Sequence, residues 1–168
     1  MDEEAQRLVD ALVLKPHPEG GYFRETYRSS ILVRESETLR VAATSIYYLL
    51  NDRSFSAFHR LASDEIWHHY RGASVAIEVI QIDGEHRRVV IGEGDRWQAV
   101  IHAGAWFAAH LSDAAGYALV GCDVAPGFDF ERFELASREG LLGAFPQHRR
   151  LIERWIAPPP AFAVFLFG

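Results

Sequence analysis

The chain consists of short runs in which apolar and polar residues alternate, cut apart by glycine, aspartate and proline, with no long helical pattern between them. That rhythm constrains the fold more than any single residue does. Candidate strands cover 38–49 (TLRVAATSIYYL), 55–61, 65–71, 74–82 (SVAIEVIQI), 86–91, 97–101, 116–124 (GYALVGCDV) and 130–135 (FERFEL). They follow GYFRETYRS, where aromatic, threonine and charged residues alternate as in a half-buried strand. Asp83-Gly84 is a hairpin turn signal between two of them. Many short strands without intervening helices favour an all-β antiparallel barrel or sandwich over a parallel α/β sheet, and a jelly roll fits best.

Helical signals are confined to the ends. Residues 3–13 (EEAQRLVDALV) place Leu8, Val9, Leu12 and Val13 on one face, with acids in the first turn, and the prolines at 16 and 18 stop the helix. Ser137 is positioned to cap a short helix reaching about Phe145, and Pro146 begins another helical segment; both are expected on the outside of the barrel. At 168 residues the chain reads as one domain, 1–168, with its core over about 10–155. In the remainder, 156–168, three prolines precede an apolar run of eight residues. That run is far short of the roughly 20 residues that cross a bilayer as a helix, so an added edge strand on this subunit or a partner is the expectation.

Charge and residue usage exclude several functions. Lys plus Arg number 17 against 23 Asp plus Glu, a formal charge of −6, which argues against a nucleic-acid partner. Lys15 is the single lysine, and arginine does not deprotonate to form an imine. Cys122 has no cysteine to pair with, the N-terminus is acidic, and nothing resembles a signal peptide, so a cytoplasmic location is expected.

The chemistry concentrates between 53 and 72, where His59, Glu65, His68 and His69 lie close together. On a regular strand Glu65, Trp67 and His69 share one face, while Ile66, His68 and Tyr70 share the other. A carboxylate among aromatics has reason to hold its proton, and a neighbouring imidazole can exchange protons with it. Tyr22, Tyr47, Trp67 and Trp106 could form a stacking wall for a flat or sugar-like ligand or simply an aromatic core, and Arg24 could anchor ligand charge or be an exposed strand arginine.

The stretch His59-x-Leu61-x3-Glu65-x6-Gly72 resembles the first motif of the cupin superfamily, His-x-His-x3-Glu-x6-Gly, and His102-Ala103-Gly104-Ala105-Trp106-Phe107 stands where its second motif would be. The phrases His17-Pro18-Glu19-Gly20-Gly21-Tyr22-Phe23-Arg24-Glu25-Thr26, Thr44-Ser45-Ile46-Tyr47-Tyr48-Leu49-Leu50 and Gly121-Cys122-Asp123-Val124-Ala125-Pro126-Gly127-Phe128 are similar to a subfamily of small cupins described as predicted sugar epimerases. This resemblance implies a jelly-roll barrel (double-stranded β-helix), a homodimer, and metal-free proton transfer on a small polar or sugar-like ligand. His59 would be the base, Glu65 the acid or orienting partner, and His68 or Tyr22 a further donor. Metal-binding cupins use three histidines and a glutamate; Leu61 and Phe107 occupy two of those histidine positions here, so no cofactor is expected. The alternatives are a metabolite-binding module without turnover and a metal-dependent oxygenase or isomerase with a site rebuilt from His59, Glu65 and His69.

Overall fold

Period-two alternation lets each strand turn one set of side chains toward a shared interior. In the computed structural model, which describes residues 3–113 and 116–157, two antiparallel sheets do this face to face. The elements run α1 (Glu3–Ala11), β1 (Lys15–Pro16), β2 (Tyr22–Arg28), β3 (Leu32–Glu35), β4 (Thr38–Val41), β5 (Thr44–Asn51), β6 (Ser56–Leu61), β7 (Asp64–Gly72), β8 (Val75–Ile80), β9 (His86–Ile91), β10 (Gln98–Ile101), β11 (Trp106–Leu111), β12 (Tyr117–Ala125), β13 (Phe133–Leu135), α2 (Arg138–Ala144) and α3 (Arg149–Trp155). The first sheet has the order β1-β2-β5-β12-β7-β10 and the second β13-β6-β11-β8-β9, the jelly-roll arrangement; β3 and β4 pair only with each other.

The core between the sheets gathers Tyr48, Trp67, Val75, Ile77, Val79, Phe107, Val120 and Cys122. Residues one step away on the same strands face outward and are covered by helices. Helix α1 lays Ala5 and Val9 on Leu49 and Leu119 of the first sheet. Leu141 of α2 and Ile152 of α3 cover Phe58, Ile80 and Ala108 of the second. Ser137 caps α2 by accepting the Gly140 N–H at 3.1 Å. Ser137→Ala is expected to cost about 1 kcal/mol in denaturant unfolding, because it returns one orphan N–H of the first turn to solvent. No helix among the described residues is long and apolar enough to cross a membrane.

Two expectations need correction, and one strand, β11, was not among those expected. The single strand expected over 38–49 is divided at Ala42 and Ala43, whose backbones pair with Ile31 and Ser29 and send 38–41 into a separate hairpin with β3. The first half of 130–135 is a 3-10 turn, because the Asp129 side chain accepts the Glu131 N–H at 3.0 Å and only Phe133–Leu135 remain as strand. Strand β11, central in its sheet, carries no alternation in its sequence because both its faces are covered. The proline-rich tail from 158 onward lies outside the described residues.

Candidate functional site

Between the sheets, at the end where the loop before β2 and the turns around Phe128 and Phe130 converge, lies a cavity of about 80 Å³. Its wall is mostly aromatic and aliphatic, and its polar groups are few: His17, Glu19, Thr44, Tyr48, His59, Glu65 and Cys122, with Glu25 and Arg28 also in the lining. Glu25 and Arg28 form a two-pronged ion pair at 2.9 and 2.7 Å.

Glu19 organises one side. Its segment turns through two glycines in the left-handed region, Gly20 at φ 115° and Gly21 at φ 68°. A Cβ on Gly20 would stand 2.0 Å from the carbonyl oxygen of Phe55, so only glycine permits this approach. The loop is fastened to β6 by the Ala57 N–H donating to the Glu19 carbonyl at 2.9 Å, and to β5 by the Tyr48 hydroxyl donating to the Gly20 carbonyl at 2.7 Å. The carboxylate then receives the Ser56 hydroxyl at 2.8 Å on one oxygen, and its other oxygen lies 3.3 Å from His59 Nε2 and 3.5 Å from His17 Nδ1.

These contacts fix the tautomer of His59. Its Nδ1 is 2.8 Å from the Ala57 carbonyl, which can only accept, so Nδ1 carries a hydrogen and Nε2 is the nitrogen that faces Glu19. Burial pushes His17 below the ordinary histidine range, with Glu19 opposing and His59 reinforcing. Its Nδ1 accepts the Glu19 N–H at 3.4 Å as a neutral imidazole.

Glu65, on β7, faces the same cavity from the other sheet. Burial first, and the charge of Glu19 second, push its carboxyl up to about 8, against a smaller opposing pull from Cys122 and Trp67. It therefore carries its proton at neutral pH. Its Oε2 is buried without a hydrogen-bond partner. Tyr48, the cavity's tyrosine, is also held protonated well above its ordinary value by burial and Glu19.

The structure brings His59 and Glu65 together and places the other residues picked from sequence elsewhere. His68 is on the outer face of β7, with Nε2 2.9 Å from Asp123 and Nδ1 3.2 Å from Gln98. Tyr22 and Tyr47 pack toward α1, and Arg24 lies 5.8 Å over the Tyr47 ring. Trp106 faces the C-terminal helices beneath Arg60, whose guanidinium carbon is 4.6 Å from the ring centre. In each case the neighbour one step along the strand, Phe23, Tyr48 or Phe107, is the inward residue. Trp67 is inward but sealed in the core between Tyr48 and Phe107, at 5.8 and 6.4 Å. His69 shares Glu65's face yet stands four residues farther along, roughly 13 Å at strand rise. There its Nε2 meets the Ala73 carbonyl at 3.0 Å and its ring the indole of Trp97. His59, Glu65 and His69 therefore do not converge. Glu19, the residue sequence reasoning missed, is distant from β6 in the chain; its one signal was the glycine pair directly after it.

A cupin metal would need donors where this chain has none. Leu61 lines the cavity in place of one histidine, and Phe107 in place of another packs its ring 4.1 Å from that of His59. Among the described residues no group of three or more His, Cys, Asp or Glu is arranged to hold a metal ion. The residues therefore do not fit the ion.

Two antiparallel sheets in this order, with a glutamate and a histidine on facing strands of the cavity, define a cupin-type jelly roll. The chain belongs to the cupin superfamily: the family model described as Cupin superfamily (DUF985) matches residues 6–136. A hypothetical protein from Leishmania major is 36% identical with a TM-score of 0.86, covering 92% of this chain and 99% of that one. A protein from Shewanella oneidensis is 37% identical with a TM-score of 0.85, covering 92% and 98%. The oxalate decarboxylase from Bacillus subtilis, 18% identical with a TM-score of 0.54 over 83% of this chain and 36% of its own, shares the fold alone. No curated protein matches the chain significantly.

Proposed function

We propose that the cavity binds a small polar, sugar-like molecule bearing a carbonyl group and moves a proton on the adjacent carbon without a metal, as a sugar epimerase or isomerase does. The observation that carries this reading is the protonated Glu65 carboxyl, its Oε2 without a hydrogen-bond partner, facing the same cavity as the His59–Glu19 pair. The pair is the base. The carbon–hydrogen bond breaks, its proton passes to His59 Nε2, and Glu19 stabilises the resulting imidazolium. The electron pair moves into the carbonyl as an enolate, whose oxygen receives a hydrogen bond from neutral Glu65. An ionised carboxylate there would repel the enolate; burial removes that conflict by keeping the proton on. Phe23, Phe128 and Phe133 exclude water from the wall opposite.

The test is deuterium incorporation into small keto-sugars in heavy water. Exchange is expected with the native protein and should fall about 10²- to 10⁴-fold in His59→Ala. The small, largely apolar enclosure favours a second reading, a binding module without turnover. Saturable thermal stabilisation by a keto-sugar with no exchange at any pH would establish that reading and overturn the first.

A further inference from the structure

We infer that the protein has a second ligand site, separate from the cavity, that takes a small molecule carrying a multivalent oxyanion. It is a groove of about 820 Å³ on the outer face of the second sheet, roofed by α3 and closed at one end by the turn between β5 and β6. Because Ile77, Val79 and Ala109 point into the core, their neighbours Glu78 and His110 necessarily point out of it, onto the groove's floor.

Guanidinium groups reach this groove from three walls: Arg150 and Arg154, one turn apart on α3, Arg88 on β9, and Arg53 on the β5–β6 turn. Arg53, Arg150 and Arg154 make no ion pair with a carboxylate among the described residues, and Arg88 reaches Glu78 only at 3.7 Å. Such a gathering, in a protein of net charge −6, is self-repelling until an anion joins it. Asp52 and Asp113 on the rim are the acids that compete for it.

The floor is built rather than incidental. Glu78, nearly buried, receives His86 Nε2 at 2.7 Å and lies 3.4 Å from His110 Nε2, while His110 Nδ1 faces the Leu111 carbonyl at 2.8 Å. Both nitrogens of His110 therefore face oxygen atoms that fix the ring's orientation on the floor. Trp155 stacks on that ring at 3.9 Å and 9°, and the Arg154 guanidinium carbon lies 4.8 Å from the centre of the Trp155 ring. The column presets the Arg154 guanidinium beside the groove, so less freedom is lost when it pairs with an oxyanion. The Ser112 hydroxyl oxygen, buried in the same wall, has no hydrogen-bond partner and supplies a donor that nothing in the chain uses. Forked donors on several walls suit phosphate or clustered carboxylates, the two sources of the same chemistry.

Pyrophosphate and citrate, each titrated against sodium chloride of equal ionic strength, are the probes, with binding read by calorimetry and thermal shift. Saturable binding of either is expected, pyrophosphate alone indicating a phosphorylated ligand and citrate alone a polycarboxylate. Arg154→Ala, Arg150→Ala and Ser112→Ala should each weaken it, the arginine changes by at least about tenfold. Arg154→Lys, which keeps charge but loses the fork and the stacking, should weaken it too. His59→Ala should leave it unchanged, which separates this site from the cavity. No saturable response beyond the chloride control, or binding that survives both arginine-to-alanine changes, overturns the inference.

Discussion

Gly20→Ala is expected to destabilise the protein by about 4 kcal/mol or more, or to leave it unfolded at room temperature. Two costs add. The new Cβ would lie 2.0 Å from the backbone oxygen of Phe55, a position with no flexible side chain to yield. The residue would also have to hold φ 115°, which L side chains rarely adopt. Relief requires pulling the 17–21 loop away from β6, breaking the Ala57-to-Glu19 backbone bond and removing Glu19 from His59. Chemical denaturation measures the loss; a change below about 1 kcal/mol would show that the loop is not clamped as described.

Glu65→Gln is expected to change how stability depends on pH. The native carboxyl titrates near 8 against an ordinary 4.5, so between those values the folded state holds a proton that the unfolded state has released. Stability of the native protein therefore falls as pH rises from about 4.5 through 8, by an amount on the order of 5 kcal/mol when the shift is converted at about 1.4 kcal/mol per unit. Glutamine has no proton to lose. The difference in melting temperature between variant and native protein should move in the variant's favour between pH 5 and 8.5 and level off above that. His17, held neutral by burial, contributes a slope of opposite sign below its ordinary range, and it is common to both proteins. A difference independent of pH would mean that Glu65 is ionised throughout, and the proton donor of the proposed reaction would be lost with it. The same titration predicts that proton exchange in the native protein declines above about pH 8.

The two-beat pattern of the strands was legible because most of them have one face in the core and one outside. It located β9 at 86–91 to the residue, the Leu8, Val9 and Leu12 side of α1 and the Ser137 cap, but not Val13, which lies exposed beyond the end of the helix with φ 54°. Strand β11 was not legible, since a segment covered on both faces shows only a run of small and apolar residues. The cavity was half legible. His59 and Glu65 stood out through spacing within one stretch, whereas Glu19 reaches them across the sheet, a proximity that no local pattern encodes. The aromatic and basic residues picked for the wall failed by parity: Tyr47 and Trp106 are large and conspicuous, but Tyr48 and Phe107 beside them are the ones turned inward. One step along a strand is a change of compartment.

The second sheet is a partition one side chain thick, with the His59 chamber behind it and the arginine-lined groove in front. Glu78 and His110 open onto the groove, while Ile77, Val79, Phe107 and Ala109, one step along the same strands, lie in the core behind it. The groove and the cavity therefore lie on opposite faces of one sheet, and a side chain can be changed in one without entering the other.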